Sequence, residues 1–141
     1  MSYLLDTNVV SELVRPGANS QVLKWIDSVP EEQAFISVIT VAEIRKGVAS
    51  LPSGRRRDVL DEWLSFDLVE RFQGRIMDVT IEIADVWGRL AGQAKAGGFA
   101  FAVMDGLIAA TAVAHSMVVA TRNTRNFAGH GVSLVDPWSV E

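Results

Sequence analysis

Three acids and one polar turn are the residues in this chain whose types and positions could do chemistry. Asp6 follows the apolar run 2–5, and Glu43 lies two turns into a helical pattern that starts after Ser37. Asp105 stands at the mouth of an apolar helical pattern over 107–114, and Thr121-Arg122-Asn123 directly follows a second apolar run, 117–120. Taken singly, each has a plain structural use. Asp6 and Asp105 suit helix N-caps, worth about 1 kcal/mol each, and Glu43 suits a solvated helix face. Taken together they call for something more. Two carboxylates about 4 Å apart repel by roughly 4 kcal/mol at an effective dielectric near 20, and three would be pushed toward protonation unless a cation offset them. The donors are oxygens, the chain has no cysteine, and no histidine is close by in sequence, which suits Mg²⁺ or Mn²⁺ and not zinc. Such an ion polarises a phosphoryl oxygen and lowers the pKa of a bound water. The chemistry this points to is phosphodiester hydrolysis.

These residues converge only if the chain brings strand ends together. Apolar runs at 2–5, 33–36, 76–79, 117–120 and 132–135 predict short buried strands. Between them, apolar residues at helical spacing predict helices over 9–14, 20–28, 38–51, 59–68, 83–94 and 107–114, with a turn or short helix at 123–127. Ser37 and Thr80 are the expected caps, and Pro16-Gly17, Pro30 and Ala96-Gly97-Gly98 the expected stops. Apolar strands alternating with helices predict an α/β chain: a single three-layer α/β/α domain over 1–141 with a short, mostly parallel sheet. In such sheets ligands bind at the carboxyl ends of the strands, where the three acids fall. No repeat, low-complexity segment or glycine-rich nucleotide fingerprint interrupts the pattern.

Composition bounds the function. A chain of 141 residues fits one domain that can bury a core without staples. The absence of cysteine excludes a disulfide scaffold, a thiolate zinc site and a cysteine nucleophile. The first residues lack a basic segment and reach Asp6 early, so no signal peptide is expected. The longest uncharged run, 106–121, falls short of the ~20 apolar residues of a spanning helix, so the expected address is the cytoplasm, with no membrane partner. The net charge of −4 argues against indiscriminate electrostatic binding to nucleic acid. It does not exclude a nuclease, because a bound divalent ion would offset the three acids where a phosphate must approach.

Four blocks taken in order resemble a known family. They are Leu4-Leu5-Asp6-Thr7-Asn8-Val9-Val10-Ser11-Glu12-Leu13, the stretch from Ser37 to Gly47 around Glu43, Met104-Asp105 with the helix after it, and Ala120-Thr121-Arg122-Asn123-Thr124-Arg125-Asn126-Phe127. Together with Val135-Asp136-Pro137-Trp138 they resemble the PIN domain, and more narrowly the VapC toxins of bacterial toxin–antitoxin pairs, over nearly the whole chain. The resemblance implies an Mg²⁺- or Mn²⁺-dependent ribonuclease in which Asp6, Glu43 and Asp105 hold the metal. Thr7, Asn8 and Thr121 would orient the carboxylates or the attacking water. It also implies a VapB-type antitoxin partner and a homodimer that assembles further with it. One departure stands out. The family commonly carries a fourth acid after the last core strand, and both candidate positions here, Asn123 and Asn126, are asparagine. An amide ligates without charge, so one firmly held ion is expected instead of two.

Other residues have weaker signals. Between Glu43 and Arg57, one acid stands against Arg45, Lys46, Arg55, Arg56 and Arg57. This patch is either a solvated helix start or a contact for the RNA backbone or acidic antitoxin groups, and Arg122 divides between a phosphate or antitoxin contact and a structural ion pair. His115 and His130 are not expected to be catalytic. Trp25, Trp63 and Trp87 fall on apolar helix faces, and Glu12 and Asp85 are expected on helix surfaces. A haloacid-dehalogenase phosphatase would need an acid where Asn8 stands, and a receiver domain would need one at Leu5. The rival that survives is a PIN-like module that binds RNA or antitoxin without cutting.

Overall fold

Alternation along very short strands sets the architecture. A computed structural model describes residues 1–128 and 131–140, so His130 lies outside the described residues. The strands are β1 (Tyr3–Leu5), β2 (Ala34–Ser37), β3 (Ile76–Met77), β4 (Val118–Ala120) and β5 (Leu134–Val135). They form one sheet of order β3-β2-β1-β4-β5, and every pairing is parallel. Successive side chains point to opposite faces. Leu5, Ile36, Ala120 and Val135 enter one core, whereas Leu4, Phe35, Val119 and Leu134 enter the other.

The first core is covered by α1 (Thr7–Ser11), α2 (Ser20–Ser28), α3 (Val38–Ala49) and α4 (Arg55–Glu62). Val9, Val22, Ile26, Ile44 and Val48 supply the apolar stripe, joined by Leu64, Leu68 and Phe72. The second core is closed by α7 (Val103–Ala114) through Ile108, Ala109 and Ala112. The long helix α6 (Ile81–Ala96) packs against α7. A short helix, α5 (Val69–Arg71), ends the segment that α4 begins. Among the described residues, no helix is long and apolar enough to cross a membrane.

The caps at Ser37 and Thr80 are where the sequence places them: each side chain accepts from a backbone N–H of the first turn, at Ile39 and Ile83. Several boundaries differ. The first helix begins at Thr7, with Asp6 as its cap, and ends at Ser11. The last long helix begins at Val103 behind Ala102, which has no side chain to cap with, so Asp105 lies inside the first turn instead of before it. The helix expected over 59–68 passes from α4 into a π-helical turn, Trp63–Leu68, whose wider spacing still buries Leu64 and Leu68.

The α6–α7 seam is tight at one point. A Cβ on Gly106 would lie 2.7 Å from Trp87 Nε1 and 3.0 Å from its Cδ1, so α7 needs a glycine where the indole crosses it. That indole N–H is buried and has no hydrogen-bond partner among the described residues. Gly106→Ala is therefore expected to destabilise the protein by about 1–3 kcal/mol through overpacking. Trp87→Phe should recover most of that loss, since a smaller ring vacates the spot and removes the unpaired donor. Urea unfolding of the two single variants and the double variant measures the coupling; additive losses would mean the two residues do not press on each other.

Candidate active site at the switch point of the sheet

In the order β3-β2-β1-β4-β5, the chain proceeds outward from β1 on one side and then returns to β1's other flank. Reversal of strand order opens a crevice at the carboxyl ends of β1 and β4. Asp6 ends β1, and Thr121 ends β4. Asp6 is only 5 % exposed. Its Oδ1 accepts from the Thr7 backbone N–H at 2.8 Å. Its Oδ2 accepts from the Thr121 hydroxyl at 2.7 Å and the Asn8 amide at 3.3 Å. A buried carboxylate is tolerated when donors replace the lost water, and here they come from both strand ends.

Thr121 is the hub. Its oxygen also accepts from the Asn123 backbone N–H at 3.0 Å and the Asn8 amide at 3.4 Å. Asn8 in turn accepts from the Arg122 backbone N–H at 3.2 Å, closing a loop of contacts across 114 residues of sequence. Glu43 is brought in from α3. The Thr7 hydroxyl donates to its Oε1 at 2.6 Å and sits 3.4 Å from the hydroxyl of Thr40, a fully buried residue with no warning in the sequence beyond its place one turn before Glu43.

Asp105 arrives from α7. The Asn126 amide donates to its Oδ2 at 3.2 Å. Burial, and then the negative charges of Asp6 and Glu43, hold the Asp105 carboxyl above its ordinary value, while the Asn126 bond opposes the rise. Asp105 therefore senses both other acids. Of the two asparagines, Asn126 supplies its side chain to the cluster and Asn123 its backbone.

Donor chemistry fits a hard divalent ion: carboxylate and amide oxygens, with no sulfur. Among the described residues, no group of three or more histidine, cysteine, aspartate or glutamate side chains is gathered tightly enough to hold a metal by itself. An ion here would take water, beside these acids, for its remaining positions, the usual condition of Mg²⁺.

Two clefts flank the acids. One, of about 740 Å³, is walled by Thr7, Ser11, Arg15, Glu43, Arg55 and Arg56. The other, of about 990 Å³, is walled by Asp105, Asn126, Arg125, Phe99 and Phe101. The basic patch is thus divided. Arg55 and Arg56 face the first cleft, whereas Arg45 pairs with Asp61 at 2.5 Å and bonds Ser65 at 2.9 Å. The Arg45 bond holds the Asp61 carboxyl below its usual value. Lys46 is exposed on α3, and Arg57 lies near enough to add to the positive field at Asp61. Arg122 stacks over Trp138, 5.2 Å from the ring centroid, and forms no ion pair among the described residues.

Trp25 meets Tyr3 edge-on in the first core, and Trp63 packs against that core. His115 is exposed at the end of α7, away from the carboxylates' bonded partners. Asp85 pairs with Arg89 on the surface of α6, as a surface residue should. Glu12 departs from expectation: it is 2 % exposed, bonded to Arg15 at 3.3 Å through one oxygen, with the other unpartnered among the described residues. The short α1 ends at Ser11, and the chain folds Glu12 inward at its cap.

The raised Asp105 carboxyl makes a pH-dependent statement. A folded-state value above the unfolded one means the folded protein binds more protons between the two, so stability falls as pH rises through that window. Asp105→Asn is expected to raise the melting temperature of the metal-free protein at neutral pH. The gain should vanish near pH 3, below the ordinary value of about 3.9 for aspartate. Thermal melts across that range check this; a gain that persists at low pH would remove the electrostatic cause.

Residues 3–131 match the family model of the PIN domain. The chain is 44% identical over 135 residues to Toxin FitB of Neisseria gonorrhoeae, covering 96% of this chain and 97% of that one. It is 40% identical over 135 residues to VapC ribonuclease Y4jK of Sinorhizobium fredii, covering 96% of each. The crystal structure of FitAcB from Neisseria gonorrhoeae superposes with a TM-score of 0.92 at 43% identity, over 98% of this chain and 99% of that one. A further structure is described as FitAB bound to an IR36 DNA fragment, with the same TM-score of 0.92. An all-parallel sheet with acids at its switch point, a family match over most of the chain and relatives of this closeness have one meaning: the protein belongs to the PIN-domain family, within the VapC-type toxins of toxin–antitoxin systems.

Proposed function

We propose that the chain is a divalent-metal-dependent ribonuclease, a toxin restrained by a VapB-type antitoxin. The observation that carries this reading is geometric: Asp6, Glu43 and Asp105 come from three separate elements, Thr7 bonds both Asp6 and Glu43, and Asn126 from the turn after β4 bonds Asp105. A fold does not need three acids that repel one another, so their presence together argues for a cation and a phosphate-bearing substrate. The names of FitB, a toxin, and Y4jK, a VapC ribonuclease, agree with it. The complexes named FitAB and FitAcB support an antitoxin partner here; a homodimer of the toxin belongs to the same proposal.

When bound, Mg²⁺ or Mn²⁺ would supply Lewis-acid polarisation of the scissile phosphate and a lowered pKa for water. Asp6, Glu43 and Asp105 would hold it. Thr121, Asn8 and the Thr7 N–H fix Asp6, the Thr7 hydroxyl fixes one oxygen of Glu43, and Asn126 fixes one oxygen of Asp105. The second oxygens of Glu43 and Asp105 are left for ligation. Arg55, Arg56 and Arg15 line the cleft beside Glu43, where they suit an RNA backbone or the acidic groups of an antitoxin. The role of Arg45 narrows to bracing α3 against Asp61.

A second reading, binding without cleavage, has one observation in its favour. Asn126 turns its amide donor to Asp105, a place where a fourth acid would add charge. Purified, antitoxin-free protein incubated with structured RNA separates the two. Cleavage is expected with Mg²⁺, absent with chelator, and lost in Asp6→Asn and Asp105→Asn. Thr121→Val is expected to lose about 10–100-fold, the usual effect of removing a group that orients a ligand. RNA bound but never cut under any of these conditions would establish the second reading.

Neutral asparagines at 123 and 126 also set the metal count. Calorimetric titration of the free protein with Mn²⁺ is expected to give one tight site, abolished by Asp105→Asn. Two tight sites would refute it.

A further inference from the structure

Thr40 has a buried hydroxyl that the cleavage reading leaves without a task. It stands three residues before Glu43 on α3, so the two share a helix face, and it is fully buried. A helical threonine often spends its hydroxyl on the carbonyl four residues back, as Thr111 does on Leu107 at 2.8 Å. Thr40 lies in the first turn of α3, where the residue four back is Ile36 of β2. Among the described residues its hydroxyl has one partner, the Thr7 hydroxyl at 3.4 Å.

Hydrogen count gives that contact a direction. A threonine hydroxyl carries one hydrogen and accepts through its lone pairs. Thr7 donates its hydrogen to Glu43 Oε1 at 2.6 Å, a short bond to a carboxylate and the stronger of its two options. The Thr40 hydrogen, closed off from water, then has the Thr7 oxygen as its acceptor. The order is Thr40 to Thr7 to Glu43. The reverse order would take the Thr7 hydrogen from Glu43 and give it to a neutral oxygen farther away.

We propose that Thr40 is a positioning residue for the metal site: by donating to Thr7 it keeps the Thr7 hydrogen on Glu43 Oε1 and leaves the other Glu43 oxygen for the ion. The inference rests on the metal-dependent reading and adds to it a residue that acts only through its neighbours. At 3.4 Å the contact is long for two hydroxyls, so it adds little to stability and acts by direction. Hydrogen bonds in a chain also polarise one another, which strengthens the bond to Glu43. Packing alone does not ask for a hydroxyl here, since a valine fills the same shape without a polar group to bury. The Thr7 N–H meanwhile holds Asp6, so the chain from Thr40 sets Glu43 relative to Asp6.

The test is calorimetric titration of the intact, chelator-stripped protein with Mn²⁺, with urea unfolding of the same samples. Thr40→Val is expected to bind Mn²⁺ about ten-fold more weakly than wild type, the low end of what removing an orienting group costs. Thr40→Ser keeps the hydroxyl and should bind as wild type does. In a Thr7→Val background Thr40→Val should cost nothing further, because the chain is already cut. Thr40→Ala, read the same way, replaces Thr40→Val if that variant does not fold. Unchanged Mn²⁺ affinity in Thr40→Val overturns the proposal, and a loss of stability alone makes Thr40 a packing residue. An equal loss in Thr40→Ser overturns it too, since shape and not the hydroxyl would be the cause. So does full additivity with Thr7→Val. Wild type that binds no Mn²⁺ refutes the metal reading and this proposal together, whereas tight binding by wild type and Thr40→Val alike refutes this one alone.

Discussion

A carboxylate almost closed off from water, at the junction of the two halves of the sheet, is the constraint around which this protein is organised. Asp6 is accommodated in a buried place because donors reach it from the end of β1 and from the end of β4. Those donors exist only if β1 and β4 are paired with Leu5 opposite Ala120. A slip of one residue would exchange the two cores and carry Thr121 away from Asp6. The apolar register and the polar site thus specify the same alignment, and neither can change without the other.

The same economy extends outward. Thr7 caps nothing itself, yet its N–H serves Asp6 while its hydroxyl serves Glu43, so one residue ties the first strand to α3. Asn8 spans Asp6, Thr121 and the backbone of Arg122. Asp105, with one bond from Asn126, is pushed up by burial and by the negative charges of the other two acids. Strain of this kind belongs to a site arranged for a ligand with charge opposite to its own.

Much of this was legible in residue order because it depends on local pattern. Short apolar runs located the strands, Ser37 and Thr80 announced their helices, and the acids fell at strand ends where α/β sheets bind ligands. What escaped notice depends on partners distant in sequence or on backbone with no side-chain signal. The start of α7 lies behind Ala102, which offers no cap. The π-helical turn at Trp63–Leu68 keeps the apolar count but changes its period. Glu12 looked like helix surface because the helix was expected to continue past it. Arg45 belonged to a run of positive charge until Asp61 and Ser65, from another helix and the turn after it, claimed it. The Phe99 cleft has no motif at all, since its members come from a loop, a helix and a turn that only the fold places together.

The sheet is five strands wide, yet its two outer strands, Ile76–Met77 and Leu134–Val135, are each two residues long. An edge so brief offers almost no unpaired ladder to another chain. Partners therefore cannot extend this sheet by β-augmentation, in which an incoming strand gains affinity from main-chain hydrogen bonds. Recognition has to pass through side chains on the helices and through the clefts beside the acids. A chain built this way offers partners its helix faces and its grooves, and leaves little sheet edge open to strand exchange.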